Sequence, residues 1–263
     1  ESKLPGLAEW GRVRDHRVVM LEKLKNVTLY LGSSLSKEDI LEFSADDKFG
    51  FSHVFLATGA TWRRDGIARE NREPIPGLEH VSVLTADDLM LGVSAHGKVV
   101  IFDDEHYYMG GVLAEKLRLE GHDVRLVTPA PDISTWTHNT MEQGHIQKKL
   151  LELGVELIPH HNLASVHPGA VELACVFTDR LVRHACDTLV LVTERLPNDD
   201  LYRAMRADPA GIAKSGLKTI QCIGDCLAPG IIAAAVHSGH LVAREFEADA
   251  PGEVPFLRER VML

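Results

Sequence analysis

The sequence predicts an α/β fold built on a parallel sheet, and a few short stretches carry that prediction. Residues 98–102 form an apolar, β-rich run, residues 111–120 carry a helical pattern, and residues 123–127 form a second strand. This order is typical of a parallel sheet, because the helix returns the chain to the edge where the first strand began. Two further apolar runs, at 51–58 and 219–223, each lead into a glycine, and we expect both to be buried strands.

The remaining elements follow in chain order from apolar periodicity, turn residues and helix caps. Ser36 and Thr85 are candidate N-caps, because a hydroxyl side chain followed by acidic residues favours a helix start. Helices are expected near 15–25, after 36, and at 81–91, 140–153, 198–207 and 230–248, and strands at 27–31, 155–158, 163–167, 170–177, 181–184 and 188–192. The closely spaced strands between 155 and 192 predict a small meander on top of the parallel sheet.

Composition bounds the partners and the compartment. The net charge of −10 argues against nucleic acid and anionic membranes as partners, since both attract basic patches. No apolar run is long enough to span a bilayer. The four cysteines show neither CxxC spacing nor a disulfide framework, so we expect a reduced, cytoplasmic setting. The chain opens without Met and without a signal-like segment, which indicates a fragment or a processed chain.

The turn after residues 98–102 has lost a dinucleotide-binding pattern. In such a strand–turn–helix frame, a Gly-x-Gly-x-x-Gly turn brings backbone N–H groups to a pyrophosphate. Here the three glycine positions fall on Asp103, Glu105 and Tyr108. Two carboxylates repel a dinucleotide and the side chains block close approach of the backbone. We expect a nucleotide-domain fold at this turn with no nucleotide in it; the acids at 103–105 are more simply read as a solvated turn than as a loose cation site.

Three other stretches fit an architecture of two dinucleotide domains. Residues 54–60 end in Ala-Thr-Gly, residues 219–225 end in Gly-Asp, and residues 192–198 resemble the return point between two such domains, with Glu194 in place of a glycine. Each stretch alone is explained equally well by an ordinary turn or a helix cap. Together they predict two FAD/NAD(P)-binding-like three-layer domains of the glutathione-reductase type, the first incomplete and discontinuous.

The predicted domains are two. Residues 1–95 and 199–263 form an FAD/ADP-binding-like domain that lacks its first strand–turn–helix, and residues 96–198 form an NAD(P)-binding-like domain with the degenerate fingerprint. The predicted lining of the first site is Ala57, Thr58, Gly59, Gly224 and Asp225. Small residues and glycines at strand ends let a ligand approach the backbone, and the helix that follows offers N–H donors to an anion.

The chain also resembles a known family. The resemblance rests on the stretches 4–10, 57–62 with Asp65-Gly66, 107–109, 224–229 and 239–245. They look like the C-terminal part of the trimethylamine, dimethylamine and histamine dehydrogenases, and the resemblance covers essentially the whole chain. It implies a parent enzyme with a flavin-bearing barrel that holds FMN, a 4Fe-4S cluster, and two nucleotide-domain modules, with the FMN and cluster sites upstream of this chain.

The resemblance further implies that the first module holds ADP, or FAD as in relatives, and that the second holds no NAD(P). It implies an electron-transfer flavoprotein as electron acceptor and a homodimeric parent. This chain would be structural, with no catalytic residue of its own, and without the first strand and helix it would bind nucleotide weakly or not at all.

Other readings stay open. The parent is alternatively an NAD(P)H-dependent ene-reductase, similar to dienoyl-CoA reductases, or a demethylase of the same superfamily, and the chain is alternatively a stand-alone interaction module. We expect no metal site, because the paired histidines His160/His161 and His237/His240 have no obvious acidic or cysteine partner, and Cys222 and Cys226 are better explained as packing residues.

Overall fold

The computed structural model describes residues 1–45 and 50–246. Its helices are α1 Gly11–Glu22, α2 Lys37–Ala45, α3 Ala86–Met90, α4 Tyr108–Leu119, α5 Gln143–Glu152, α6 Asp200–Arg206, α7 Pro209–Ser215 and α8 Ile232–Glu245. Its strands are β1 His53–Leu56, β2 Ala60–Trp62, β3 Ser82–Thr85, β4 Lys98–Asp103, β5 Asp123–Val127, β6 Glu156–Ile158, β7 His161–His167, β8 Ala170–Cys175, β9 Leu181–Ala185, β10 Thr188–Val192, β11 Arg195–Pro197 and β12 Thr219–Cys222.

Contacts between Cα atoms divide the chain into two compact units. Unit 1 contains residues 1–29 and 62–194, and unit 2 contains residues 30–61 and 195–263. The nucleotide-domain boundaries at 95/96 and 198/199 stay a prediction of the sequence.

Unit 1 is built on a five-stranded sheet in the order β3-β10-β4-β5-β6, in which every pair described is parallel. Successive residues of β4 face opposite layers. Val99 and Ile101 pack into the cluster that contains the buried face of α4, whereas Val100 and Phe102 pack against the antiparallel sheet β7-β8-β9. A strand buried on both sides needs a continuous apolar run, which is why 98–102 could be predicted. The meander expected between 155 and 192 is the β7-β8-β9 sheet.

Unit 2 carries a two-stranded parallel sheet of β1 and β12. Its core is small: Ile40 of α2, Met205 of α6 and Leu217 form one buried cluster, and Leu56 packs with two cysteines in another. The mixed α/β class with a parallel sheet is as predicted.

Both predicted N-caps are present. The Ser36 Oγ accepts the Asp39 N–H while the Asp39 carboxylate accepts the Ser36 N–H, and Thr85 and Asp88 form the same capping box ahead of α3. Such reciprocal bonds satisfy N–H groups that a helix start leaves without partners. The strand expected at 27–31 is wrong, because this stretch is irregular and its Tyr30 and Leu31 are exposed.

Candidate functional site

The five predicted site residues lie together at one edge of unit 2. Strands β1 and β12 run parallel with Leu56 opposite Cys222, and the Ile223 N–H donates to the Leu56 carbonyl at 2.9 Å. The stretches 57–59 and 224–225 therefore leave the carboxyl ends of neighbouring strands. In open parallel sheets this edge is where ligands bind.

Gly59 provides open space at this edge. Its φ is +77°, a conformation that other residues adopt at a cost, and a Cβ built there would have no heavy atom within 4 Å. The neighbouring Ala57 and Thr58 are exposed. This part of the backbone is therefore accessible to a ligand.

Asn198 fixes the Ala-Thr-Gly stretch from the side. The Thr58 hydroxyl donates to the Asn198 carbonyl at 2.6 Å, and the Asn198 side-chain amide donates to the Thr58 carbonyl at 3.2 Å. The Asn198 N–H also donates to the Gly59 carbonyl at 2.9 Å. Asn198 was not among the predicted site residues, although the return-point pattern at 192–198 contains it.

Asp225 serves the chain's own backbone. Its Oδ1 accepts a hydrogen bond from the Gly230 N–H at 3.1 Å, and its Oδ2 accepts one from the Arg195 Nη1 at 3.2 Å. Arg195 also donates to the Gly230 carbonyl at 3.0 Å. Asp225 was predicted as a lining residue, and in the structure it closes the loop ahead of α8 together with Arg195, which sequence reasoning did not assign.

The start of α8 has physical features that favour an anion. This helix has 14 residues and no side-chain hydrogen bond at its N-cap, Ile231. Backbone N–H groups without a cap and the positive end of the helix dipole both favour a phosphate. In the turn that follows β12, the Gly224 N–H donates to the Ser238 Oγ at 2.9 Å, so this N–H already has an acceptor within the chain. Gly224 has a φ of +59°, which glycine adopts readily.

The cysteines beside this edge are packing residues. Cys222 and Cys226 are 4% and 2% exposed and pack with Leu56. Burial, together with a hydrogen bond that the Cys222 thiol donates to Cys226, raises the pKa of the Cys222 thiol to about 12. Within the described residues, no three or more His, Cys, Asp or Glu side chains are arranged to hold a metal ion.

The turn after β4 differs from its prediction. Asp103 and Asp104 are both 0% exposed, so the expected solvated turn is wrong. The reason is that β4 continues to Asp103, which lies opposite Val192 of β10, and the N–H groups of Asp104 and Glu105 both donate to the Val192 carbonyl. Pairing with β10 carries the acids into the interior.

The pKa values of two side chains in this turn are raised. Burial and the nearby charge of Glu105 raise the pKa of Asp103 to about 7, against the effect of two backbone N–H donors. At the start of α4, burial and a hydrogen bond to Glu142 raise the pKa of Tyr108 to about 12. The turn thus has the strand–turn–helix frame, with the side chains of Asp103, Glu105 and Tyr108 at the three glycine positions of the pattern.

Known proteins and a known domain family are similar to this chain in sequence and structure. Residues 84–193 match the family model described as OYE-like second alpha/beta domain. Dimethylamine dehydrogenase from Hyphomicrobium sp. (strain x) is 35% identical over 98% of this chain and 38% of its own length. By sequence and fold, the chain belongs to the family of the dimethylamine and histamine dehydrogenases.

Solved structures support the same relationship. Histamine dehydrogenase from Rhizobium sp. 4-9 superposes with a TM-score of 0.91 at 40% identity, over 99% of this chain and 40% of that one. The 6-hydroxypseudooxynicotine amine oxidase from Pseudomonas geniculata N1 gives 0.87 at 39% identity, over 94% of this chain and 36% of that one. The chain therefore spans about two-fifths of the length of the relatives it matches. No helix in the described residues is long and apolar enough to cross a membrane.

Proposed function

We propose that this chain is the nucleotide-domain portion of a flavin-dependent amine dehydrogenase, which oxidises a small amine by deamination or demethylation. The likeness to histamine dehydrogenase along almost the entire chain carries the proposal. FMN, when bound in the parent, supplies the redox chemistry, and a 4Fe-4S cluster takes the electrons onward. We assign no described residue to either group, because both belong to the part of the parent that this chain does not span.

Unit 2 holds the adenine nucleotide in this proposal. The open backbone at Gly59, the exposed Ala57 and Thr58, and the uncapped start of α8 fit a nucleotide whose phosphates need N–H donors and whose sugar approaches the backbone closely. ADP fits this role, and FAD is the alternative. The Arg195–Asp225 pair acts indirectly, by holding the loop that leads to α8.

Unit 1 holds no NAD(P) in this proposal. Asp103 and Asp104 fill the turn with buried carboxyl groups, and a dinucleotide phosphate has no room beside them. An enzyme that delivers electrons to a protein has no use for NADPH. We therefore propose an electron-transfer flavoprotein as the acceptor, a homodimeric parent and a cytoplasmic location, with no nucleic acid as partner.

The alternative parent is an NAD(P)H-dependent ene-reductase or demethylase of the same superfamily. The match of residues 84–193 to an OYE-like domain is compatible with that parent, whereas the filled turn opposes it. Tight binding of NADPH to the full-length enzyme would favour the alternative.

Gly59→Ala in the full-length enzyme tests the nucleotide site. Gly32 is its matched control: it also belongs to unit 2, has φ +71°, and would place a Cβ in open space. Both substitutions carry a similar backbone cost of about 1 kcal/mol, but only the one at Gly59 puts a methyl group where the ligand approaches.

Nucleotide content is measured by denaturing the purified enzyme and separating the released nucleotides. We expect ADP from the wild type and from Gly32→Ala, and a loss of about tenfold or more in retained ADP from Gly59→Ala. Equal ADP content in the two variants would contradict the site, and release of FAD would change the nucleotide but not its place.

A further inference from the structure

The turn after β4 contains a carboxyl group in the position of a ligand. The Asp103 Oδ1 accepts the N–H of Glu105 at 3.1 Å and the N–H of His106 at 2.9 Å. These are consecutive backbone donors just ahead of α4, a helix of 12 residues. Converging N–H groups at this point of a strand–turn–helix frame are what bind phosphate in intact dinucleotide turns.

Gly110 makes the room for this carboxyl group. A Cβ at Gly110 would lie 2.4 Å from the Asp103 Oδ2 and 2.6 Å from its Cγ. Gly110 lies within α4 and is not among the glycines with positive φ, so its conformation does not require glycine. The missing side chain is needed for the close approach of Asp103, much as a glycine admits a ligand elsewhere.

The neighbouring side chains hold the turn closed over Asp103. The Asp104 carboxylate accepts the Glu70 N–H at 2.9 Å and lies 3.1 Å from the His106 Nε2. The His106 Nδ1 lies 3.2 Å from the Thr128 hydroxyl. Asp104 and His106 are themselves buried, so these contacts lie in the interior beside Asp103.

We propose that Asp103 is an intramolecular ligand: its carboxyl group occupies the anion-binding position of the 103–108 turn and thereby excludes a dinucleotide phosphate. Oδ1 keeps both N–H bonds whether or not Oδ2 carries a proton, so the position stays filled on both sides of neutrality. Removal of this side chain leaves the buried His106 N–H without its acceptor and the Glu105 N–H with the Val192 carbonyl alone, and it opens a hollow above Gly110. Such a hollow accepts a free anion.

This inference deepens the proposal that unit 1 holds no NAD(P), and it rests on that part of the proposed function. The two fail separately. Binding of NADPH to the wild-type protein would contradict the proposal that unit 1 holds no NAD(P). The phosphate experiment with Asp103 variants tests only which group fills the turn.

The experiment measures thermal unfolding of variants with and without inorganic phosphate at tens of millimolar, with chloride at equal ionic strength as reference. Asp103→Ala is expected to be destabilised and to gain about 3 °C or more from phosphate beyond the gain of the wild type. Asp103→Asn keeps the acceptor oxygen and is expected to show no such gain.

Asp187→Ala controls for general effects of phosphate on stability. The Asp187 Oδ2 accepts the Lys98 N–H at 2.8 Å and packs against Gly97 at the opposite edge of the same sheet, but it is exposed and accepts this single N–H among the described contacts. A phosphate gain in Asp187→Ala as large as in Asp103→Ala would overturn the proposal. So would the absence of any extra gain in Asp103→Ala.

Asp103→Ser replaces Asp103→Ala if the latter does not yield folded protein. If neither folds in chloride, the refolding yield is measured with and without phosphate. A higher yield in phosphate supports the intramolecular ligand, and an unchanged yield overturns it.

Discussion

At Asp103, opposing effects act on one carboxyl group. Burial and the charge of Glu105 favour its protonated form, whereas the N–H donors of Glu105 and His106 favour the ionised form. Burial dominates, and the pKa lies near 7, because the loss of hydration outweighs two hydrogen bonds. The group therefore couples the stability of unit 1 to pH.

The sign of that coupling is defined. A carboxyl group with a raised pKa in the folded state binds more protons there than in the unfolded state, between about pH 4 and about pH 7. Its contribution to stability is therefore fully present below the unfolded-state value and is lost as the pH rises through about 7. Asp103→Asn removes this titration, so we expect it to match the wild type near about pH 4 and to exceed it in free energy of unfolding above about pH 8.

Urea unfolding at several pH values measures this difference. A difference between wild type and Asp103→Asn that stays constant from about pH 4 to about pH 8 would contradict the burial of the titrating group.

Arg195 offers a second prediction. Arg195→Ala removes the hydrogen bonds to the Asp225 Oδ2 and to the Gly230 carbonyl and leaves the Gly230 N–H bond to Asp225 in place, so we expect the loop ahead of α8 to loosen. We expect ADP to dissociate roughly tenfold faster from the full-length enzyme, with partial recovery in Arg195→Lys. Arg203→Ala is the control, because its pair with Asp199 lies on the surface of the same unit. Unchanged ADP dissociation in Arg195→Ala would contradict the positioning role.

At the scale of the element, α4 is held by packing. Leu113, Ala114 and Leu117 are 0% exposed in the cluster that covers one face of the parallel sheet, whereas Leu119 on the same helix is 62% exposed. Burial decides what a leucine contributes, so one helix provides both the test and its control.

Leu113→Ala should lower the free energy of unfolding by about 2–5 kcal/mol, since it leaves a cavity in a closed core. Leu119→Ala should change it by less than about 0.5 kcal/mol. Chemical denaturation of both variants gives the comparison, and equal losses would contradict the burial of this face of α4.

The sequence predicted those elements that are specified locally. The buried run of β4, the helix after it and the caps at Ser36 and Thr85 follow from period, length and side-chain chemistry. Helix α7 was missed because it contains Gly211 and ends at Ser215, although Asp208 at the N-cap and Pro209 in the first turn are helix-start signals. The stretch 27–31 has strand-forming residues, yet it pairs with no strand in the described part of the chain.

The candidate site was predictable in position but not in detail. The ends of β1 and β12 could be placed together because parallel strands meet at their carboxyl edges. The burial of Asp103 could not be foreseen from the acidic turn pattern. It depends on pairing with β10, which is remote in sequence, and on the absence of a side chain at Gly110, which is not part of that pattern. The partners of Asp225 likewise come from Arg195 and Gly230, one of them remote in sequence.

At the scale of the whole molecule, the proposed function gives the two units opposite relationships to nucleotides. Unit 2 presents open backbone and an uncapped helix start, whereas unit 1 keeps the frame of a dinucleotide turn and fills it with its own carboxyl group. This contrast is what an enzyme needs if it retains an adenine nucleotide as structure and receives its electrons from an amine.

Anaerobic reduction of the flavin in the full-length enzyme tests this account most directly. The flavin absorbance is followed after rapid mixing with a panel of small amines or with NADPH. The account predicts that an amine bleaches the flavin within turnover times and that NADPH leaves the spectrum unchanged. Rapid bleaching by NADPH, with no response to any amine, would contradict it.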